Sequence, residues 1–115
     1  MTHARRALGA SGEELVAEWY EARGYRVLDR NWRYQRGELD IVASRGALVV
    51  FCEVKTRTSD AFGAPQEAVT RAKQTRIRHL AARWLAEGAP VSAVGIRFDV
   101  ASVMGGRVEV LEGAF

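Results

Sequence analysis

The stretch Gly37-Glu38-Leu39-Asp40-Ile41-Val42-Ala43-Ser44-Arg45-Gly46-Ala47-Leu48-Val49-Val50-Phe51-Cys52-Glu53-Val54-Lys55-Thr56 decides how the rest of the chain is read. It holds two β-like runs, 38–43 and 47–56, around Ser44-Arg45-Gly46, a break with the composition of a hairpin turn. Strand side chains alternate between faces. Glu38 and Asp40 therefore share one face of the first strand, and Val49, Phe51, Glu53 and Lys55 share one face of the second. With a two- or four-residue loop, Asp40 comes opposite Phe51 or Glu53 on the same side of the sheet. The second run is apolar on both faces from Leu48 through Val54, which is the pattern of an interior strand. A carboxylate and an ammonium at the end of such a strand are costly without a partner or a task. Carboxylate oxygens gathered this way are the hard ligands that Mg²⁺ prefers. The competing reading is an ordinary charged ladder on a wet strand face.

Lysine usage points toward the first reading. The chain has 17 basic residues, and only Lys55 and Lys73 among them are lysines. Arginine stays protonated, whereas the pKa of a lysine can fall and its amine can then hold or activate a water. One of the two lysines stands two positions from Glu53.

The bulk composition narrows the class. At 115 residues the chain is expected to form one domain, 1–115. A hydrophobic share of 48% with 27% charged residues fits a globular domain. The net charge of +3 permits a polyanionic partner. The single cysteine, Cys52, excludes an internal disulfide and a cysteine-rich zinc site. Met1 to Arg6 is followed by no apolar signal-peptide core, and no apolar run reaches transmembrane length. A cytoplasmic protein with no membrane association is the expectation.

Along the chain, Ser11 reads as the N-cap of a helix running to about Arg23 and stopping at Gly24, with Leu15, Val16, Trp19 and Tyr20 as its apolar stripe. Tyr25 to Asp29 reads as a first strand and Asn31 to Gly37 as a polar connection carrying Trp32 and Tyr34. After the hairpin and a loop, a long helix begins between Pro65 and Arg71 and ends at Gly88. Ile96–Val103 and Arg107–Leu111 are the last strands. The order αβββαββ predicts an α/β fold, a mixed sheet flanked by helices.

The acidic hairpin strand followed by Glu-x-Lys resembles the restriction-endonuclease-like core, often written PD-(D/E)xK, and archaeal Holliday-junction resolvases share that order. The resemblance is closer to the YraN-like bacterial family and runs nearly end to end. It is carried by Gly12-Glu13, Arg30-Asn31-Trp32-Arg33, Gly37-Glu38-Leu39-Asp40, Val50 to Arg57, Lys73, Arg97-Phe98-Asp99-Val100 and Ala114-Phe115. Leu39 stands where the nuclease pattern often has proline. The resemblance implies that Asp40 and Glu53, with the backbone carbonyl of Val54, ligate Mg²⁺ or Mn²⁺, and that Lys55 orients or deprotonates the attacking water. It also maps the resolvase glutamate to Glu13. By helical phase Glu13 lies at the edge of the apolar stripe and Glu14 almost opposite it, so Glu13 is the one able to reach the sheet. The alternative for Glu13 is an ordinary acidic residue of a first helical turn. Glu38 is either a third metal-side carboxylate or a partner for Arg33 or Arg36. Gln66 lies where some relatives place a polar active-site residue.

Arg71, Lys73, Arg76 and Arg78 form a basic row on the second long helix, suited to phosphate contacts or to plain solvation. The functional expectation is a metal-dependent endonuclease acting on nucleic acid, with DNA preferred. The alternatives are a non-catalytic nucleic-acid-binding protein with the same fold and a scaffold domain. A homodimer is expected if the substrate is a junction, with Trp32, Phe62 and Phe115 as apolar surface.

Overall fold

The computed structural model describes residues 11–57 and 69–115, and there the chain builds a five-stranded mixed sheet with a helix on each face. The elements are α1 (Gly12–Glu21), β1 (Arg26–Tyr34), β2 (Gly37–Arg45), β3 (Leu48–Arg57), α2 (Arg71–Ala86), β4 (Gly95–Met104) and β5 (Arg107–Leu111). The spatial order is β1-β2-β3-β4-β5. β3 and β4 are parallel, and the other neighbours are antiparallel. A parallel pair needs a long crossover, and α2 lies within it. This is the restriction-endonuclease-like order expected from the sequence.

Both faces of β3 are covered, as its apolar run requires. Val50 and Cys52 pack with Ile41, Ala43 and Ala101 beneath Val16, Ala17 and Tyr20 of α1. Val49 and Phe51 pack with Val42, Phe98 and Val100 beneath Ile77, Leu80 and Trp84 of α2. The β2–β3 connection is Gly46-Ala47, with Gly46 at φ +59°, where a side chain would be strained. Ser11 caps α1, its Oγ accepting from the Glu14 amide at 3.1 Å. Thr70 caps α2 in the same way, accepting from Lys73 at 3.2 Å.

The first strand is longer than expected. β1 runs to Tyr34, so the connection to β2 is only Gln35-Arg36. Trp32 and Tyr34 lie on the strand and stack at 6.1 Å, half-buried against the α2-side core, with exposed Arg33 between them. That alternation is itself a strand pattern, obscured by the arginines. Phe115 stacks on Phe98 at 5.2 Å and closes its own domain. Phe62 and Gln66 lie outside the described residues.

Fully buried Asp99 ties α1 to β4 and the C-terminal segment. It accepts from Tyr20 Oη at 2.6 Å, from Arg97 Nε and Nη2 at 2.8 and 2.9 Å, and from the Gly113 amide at 3.0 Å. Four donors offset the cost of removing this carboxylate from water. Burial pushes the Tyr20 phenol far up, with Cys52 and Asp99 adding to the shift, so Tyr20 stays a donor.

Candidate metal and phosphate site

The site lies where β2 and β3 part. Their ladder ends at Ile41↔Cys52, and the same register continued one step brings Asp40 opposite Glu53. At that point Asp40 Oδ2 accepts the Val54 amide at 2.8 Å. On the other side of β2, the β1 register sets Asn31 across from Asp40, and Asn31 is in the left-handed region at φ +51°. Strict alternation fails here. Ile41 packs on the α1 side, whereas Leu39, two residues earlier, packs on the α2 side. Glu38 and Asp40 still line one cleft, at a strand end where β2 remains paired to β1 but no longer to β3.

Glu13, Glu38 and Asp40 each place a carboxylate oxygen within 4.8 Å of the other two. Glu13 comes from the first turn of α1. Gly12 allows that approach, because a Cβ there would collide with Thr56 Oγ1 of β3. Glu38 is held by Arg33 Nε at 3.0 Å and by Asn31 Nδ2 at 3.2 Å. Glu53 is buried, and its Oε1 meets Lys73 Nζ at 3.1 Å and Lys55 Nζ at 3.4 Å. Both lysines of the chain thus converge on one carboxylate oxygen. Glu38, Asp40, Glu53 and Lys73 line one cleft of about 200 Å³, flanked by Arg36 and Arg76.

Crowding of negative charge sets the electrostatics. Burial, then the neighbouring charge of Glu53, raises the Asp40 carboxyl to about 7, with Glu13 adding to the shift and the Val54 amide opposing it. The Lys55 amine is pushed below the usual lysine range by burial, and Lys73 beside it acts in the same direction. Contact with Lys55 raises the Lys73 amine above the usual lysine range; burial opposes this and Glu53 reinforces it. A poised amine next to buried carboxylates is an arrangement found at functional sites.

The basic row divides. Arg71 and Arg76 are exposed. Arg78 leaves it to lie over the rings of Phe98 and Phe115, at 4.7 and 5.4 Å. Lys73 turns to Glu53. Its position is legible in the sequence: Lys73, Ile77 and Leu80 follow i, i+4, i+7, which puts it on the core-facing stripe one turn before buried Ile77. Grouping it with a charge row hides that phase.

Carboxylate oxygens alone suit a hard divalent cation. Cys52 packs on the α1 side, and no histidine or cysteine joins the carboxylate trio among the described residues. Residues 12–103 match the model of the uncharacterised protein family UPF0102. The chain is 52% identical to a UPF0102 protein of Beutenbergia cavernae, covering 96% of this chain and 97% of that one. It is 51% identical to one from Frankia alni, with 97% of each covered, and 48% identical to one from Mycolicibacterium vanbaalenii, with 96% and 91% covered. No helix among the described residues is long and apolar enough to cross a membrane.

Proposed function

The chain belongs to the uncharacterised protein family UPF0102, and from that premise we propose that it is a metal-dependent endonuclease hydrolysing nucleic-acid phosphodiesters, DNA in preference. The observation that carries this reading is Asp40, pinned to the Val54 amide at 2.8 Å, facing a Glu53 that holds both lysines at an opened strand end. Asp40, Glu53 and the Val54 carbonyl are the proposed holders of Mg²⁺ or Mn²⁺, with Glu13 and Glu38 completing the negative wall. Such an ion, when bound, supplies a water of lowered pKa and neutralises phosphodiester charge. Lys55 Nζ orients that water or takes its proton, a task that fits its lowered basicity. Lys73 holds Glu53 in place from α2. On a four-way junction, two symmetric cuts require two copies of the chain about a two-fold axis.

One observation favours a second reading, a non-catalytic nucleic-acid-binding protein. Glu53 Oε1 already has two ammonium partners and needs no cation to be neutralised. Incubation of branched and linear DNA with and without Mn²⁺ separates the two. Cleavage that needs Mn²⁺ and disappears in Glu53→Gln supports the nuclease. Salt-sensitive binding without cleavage under either condition leaves the second reading. Light scattering with and without a junction tests the dimer, and a monomer that still cleaves both strands would exclude paired cutting.

A further inference from the structure

A second hollow of about 250 Å³ adjoins the carboxylate cleft. The two share Arg36, Gly37, Arg76 and Leu80 as a common wall. Their electrostatics differ. The first contains Glu38, Asp40 and Glu53. The second is lined by Arg36, Arg76, His79 and Tyr34, with no carboxylate among the described residues.

Most basic groups nearby are already engaged. Arg33 is bound to Glu38, Arg83 to Glu87, and Lys55 and Lys73 to Glu53. Arg36 and Arg76 are exposed and have no ion pair among the described residues. They come from different elements, the β1–β2 turn and α2. Their relative placement is fixed by the close approach of Gly37 to Leu80, where a Cβ would lie 2.7 Å from Leu80 Cδ1. Gln35, at φ +54°, turns the chain tightly just before Arg36. Each of these two guanidiniums, unpaired among the described residues, offers a planar fork of donors that matches phosphate oxygens, and both line the same hollow.

We propose that Arg36 and Arg76 form a phosphate clamp, gripping a backbone phosphate of a nucleic-acid strand next to the phosphodiester that lies against Asp40 and Glu53. The clamp rests on the nucleic-acid reading of the carboxylate cleft. It adds the hairpin turn to the binding surface and gives the strand a direction, from the carboxylates across the Gly37–Leu80 saddle into the second hollow. Arg78, held over its two rings, has no part in it.

The test is fluorescence polarisation of a labelled DNA duplex in EDTA across a salt series. The proteins are wild type, Arg36→Ala with Arg76→Ala, Arg36→Lys with Arg76→Lys, and Arg107→Ala on exposed β5 as control. Two lost phosphate contacts should lower the log–log slope by about 1.8 in the double alanine variant. The double lysine variant and the control should keep the wild-type slope. A double alanine slope equal to wild type, or a control that falls equally, overturns the clamp. Absence of wild-type binding overturns the clamp. Manganese-dependent cleavage by wild type is scored separately. Cleavage with an unaltered alanine slope removes only the clamp, while the expected slope change without any wild-type cleavage supports the clamp and removes the nuclease.

Discussion

Asp40 and Val54 meet just past the last paired residues of β2 and β3, where the Asp40 carboxylate accepts the Val54 amide at 2.8 Å. One hydrogen bond does two things. It satisfies an amide at the separating strand end, and it holds an acidic group at the gap that opens between the two strands. Asp40 is thereby fixed close to Glu53, Glu38 and Glu13, a placement that burial and repulsion both disfavour for an ionised group. Structures retain such local costs at sites that bind something.

That cost predicts a pH signature. The Asp40 carboxyl titrates at about 7 in the folded chain and at 3.8 ordinarily. Between those values the folded state keeps a proton that the unfolded state has lost, so this group makes stability fall as pH rises from about 4 to about 7. An asparagine amide in its place cannot titrate and still offers Val54 an acceptor. Asp40→Asn should therefore match wild type near pH 4 and exceed it by about 1 kcal/mol at pH 8, the figure being reduced for partial exposure. Chemical denaturation at several pH values measures this. An advantage for the variant that shrinks with rising pH would contradict the assignment.

The same proton couples to metal binding. A cation on Asp40 must displace it, so Mn²⁺ binding should release close to one proton at pH 6 and almost none at pH 8.5. Calorimetry in buffers of different ionisation enthalpy counts those protons. Glu53→Gln should abolish binding, and unchanged binding in that variant would remove Glu53 from the ligand set.

Much of this arrangement is legible in the chain. The apolar run Leu48–Val54 announces a central strand, and hairpin parity brings Asp40 and Glu53 into register. What stays hidden depends on contacts between distant segments. Lys73 reaches Glu53 only because α2 packs on the α2-side core through Ile77 and Leu80. The Asp99 network joins residues 20, 97 and 113, a separation that no local pattern encodes. The full extent of β1 is masked because Arg30, Arg33 and Arg36 give a half-buried edge strand and its turn the composition of a loop. The change of side between Leu39 and Ile41 also escapes, since an alternation rule assumes a regular pleat.

The Asp99 network predicts a stability effect separate from the site. Arg97→Ala leaves a fully buried carboxylate with its two guanidinium bonds gone and should cost about 3–5 kcal/mol. Urea unfolding is the measurement, and a loss under about 1 kcal/mol would show the pair to be dispensable.

The two lysines should separate kinetically, given the proposed nuclease activity. Lys55→Ala removes the amine placed to handle the attacking water and should lower kcat by about 10²–10³. Lys73→Ala keeps that amine but removes the positive neighbour that helps hold its basicity down. With Lys73 gone, Lys55 should be more basic, and less of it would be neutral at a given pH. The acid limb of the pH–rate profile should therefore move to higher pH, with the plateau rate falling less than in Lys55→Ala. Glu53 also loses its partner at 3.1 Å, so the Mn²⁺ concentration for half-maximal rate should fall, as less competing positive charge remains at the carboxylate. Rate profiles from pH 5 to 9 at saturating Mn²⁺, with a metal titration at pH 8, distinguish these effects. A Lys73→Ala profile that overlays wild type, with unchanged metal demand, would reduce Lys73 to a surface charge and leave Lys55 to act alone.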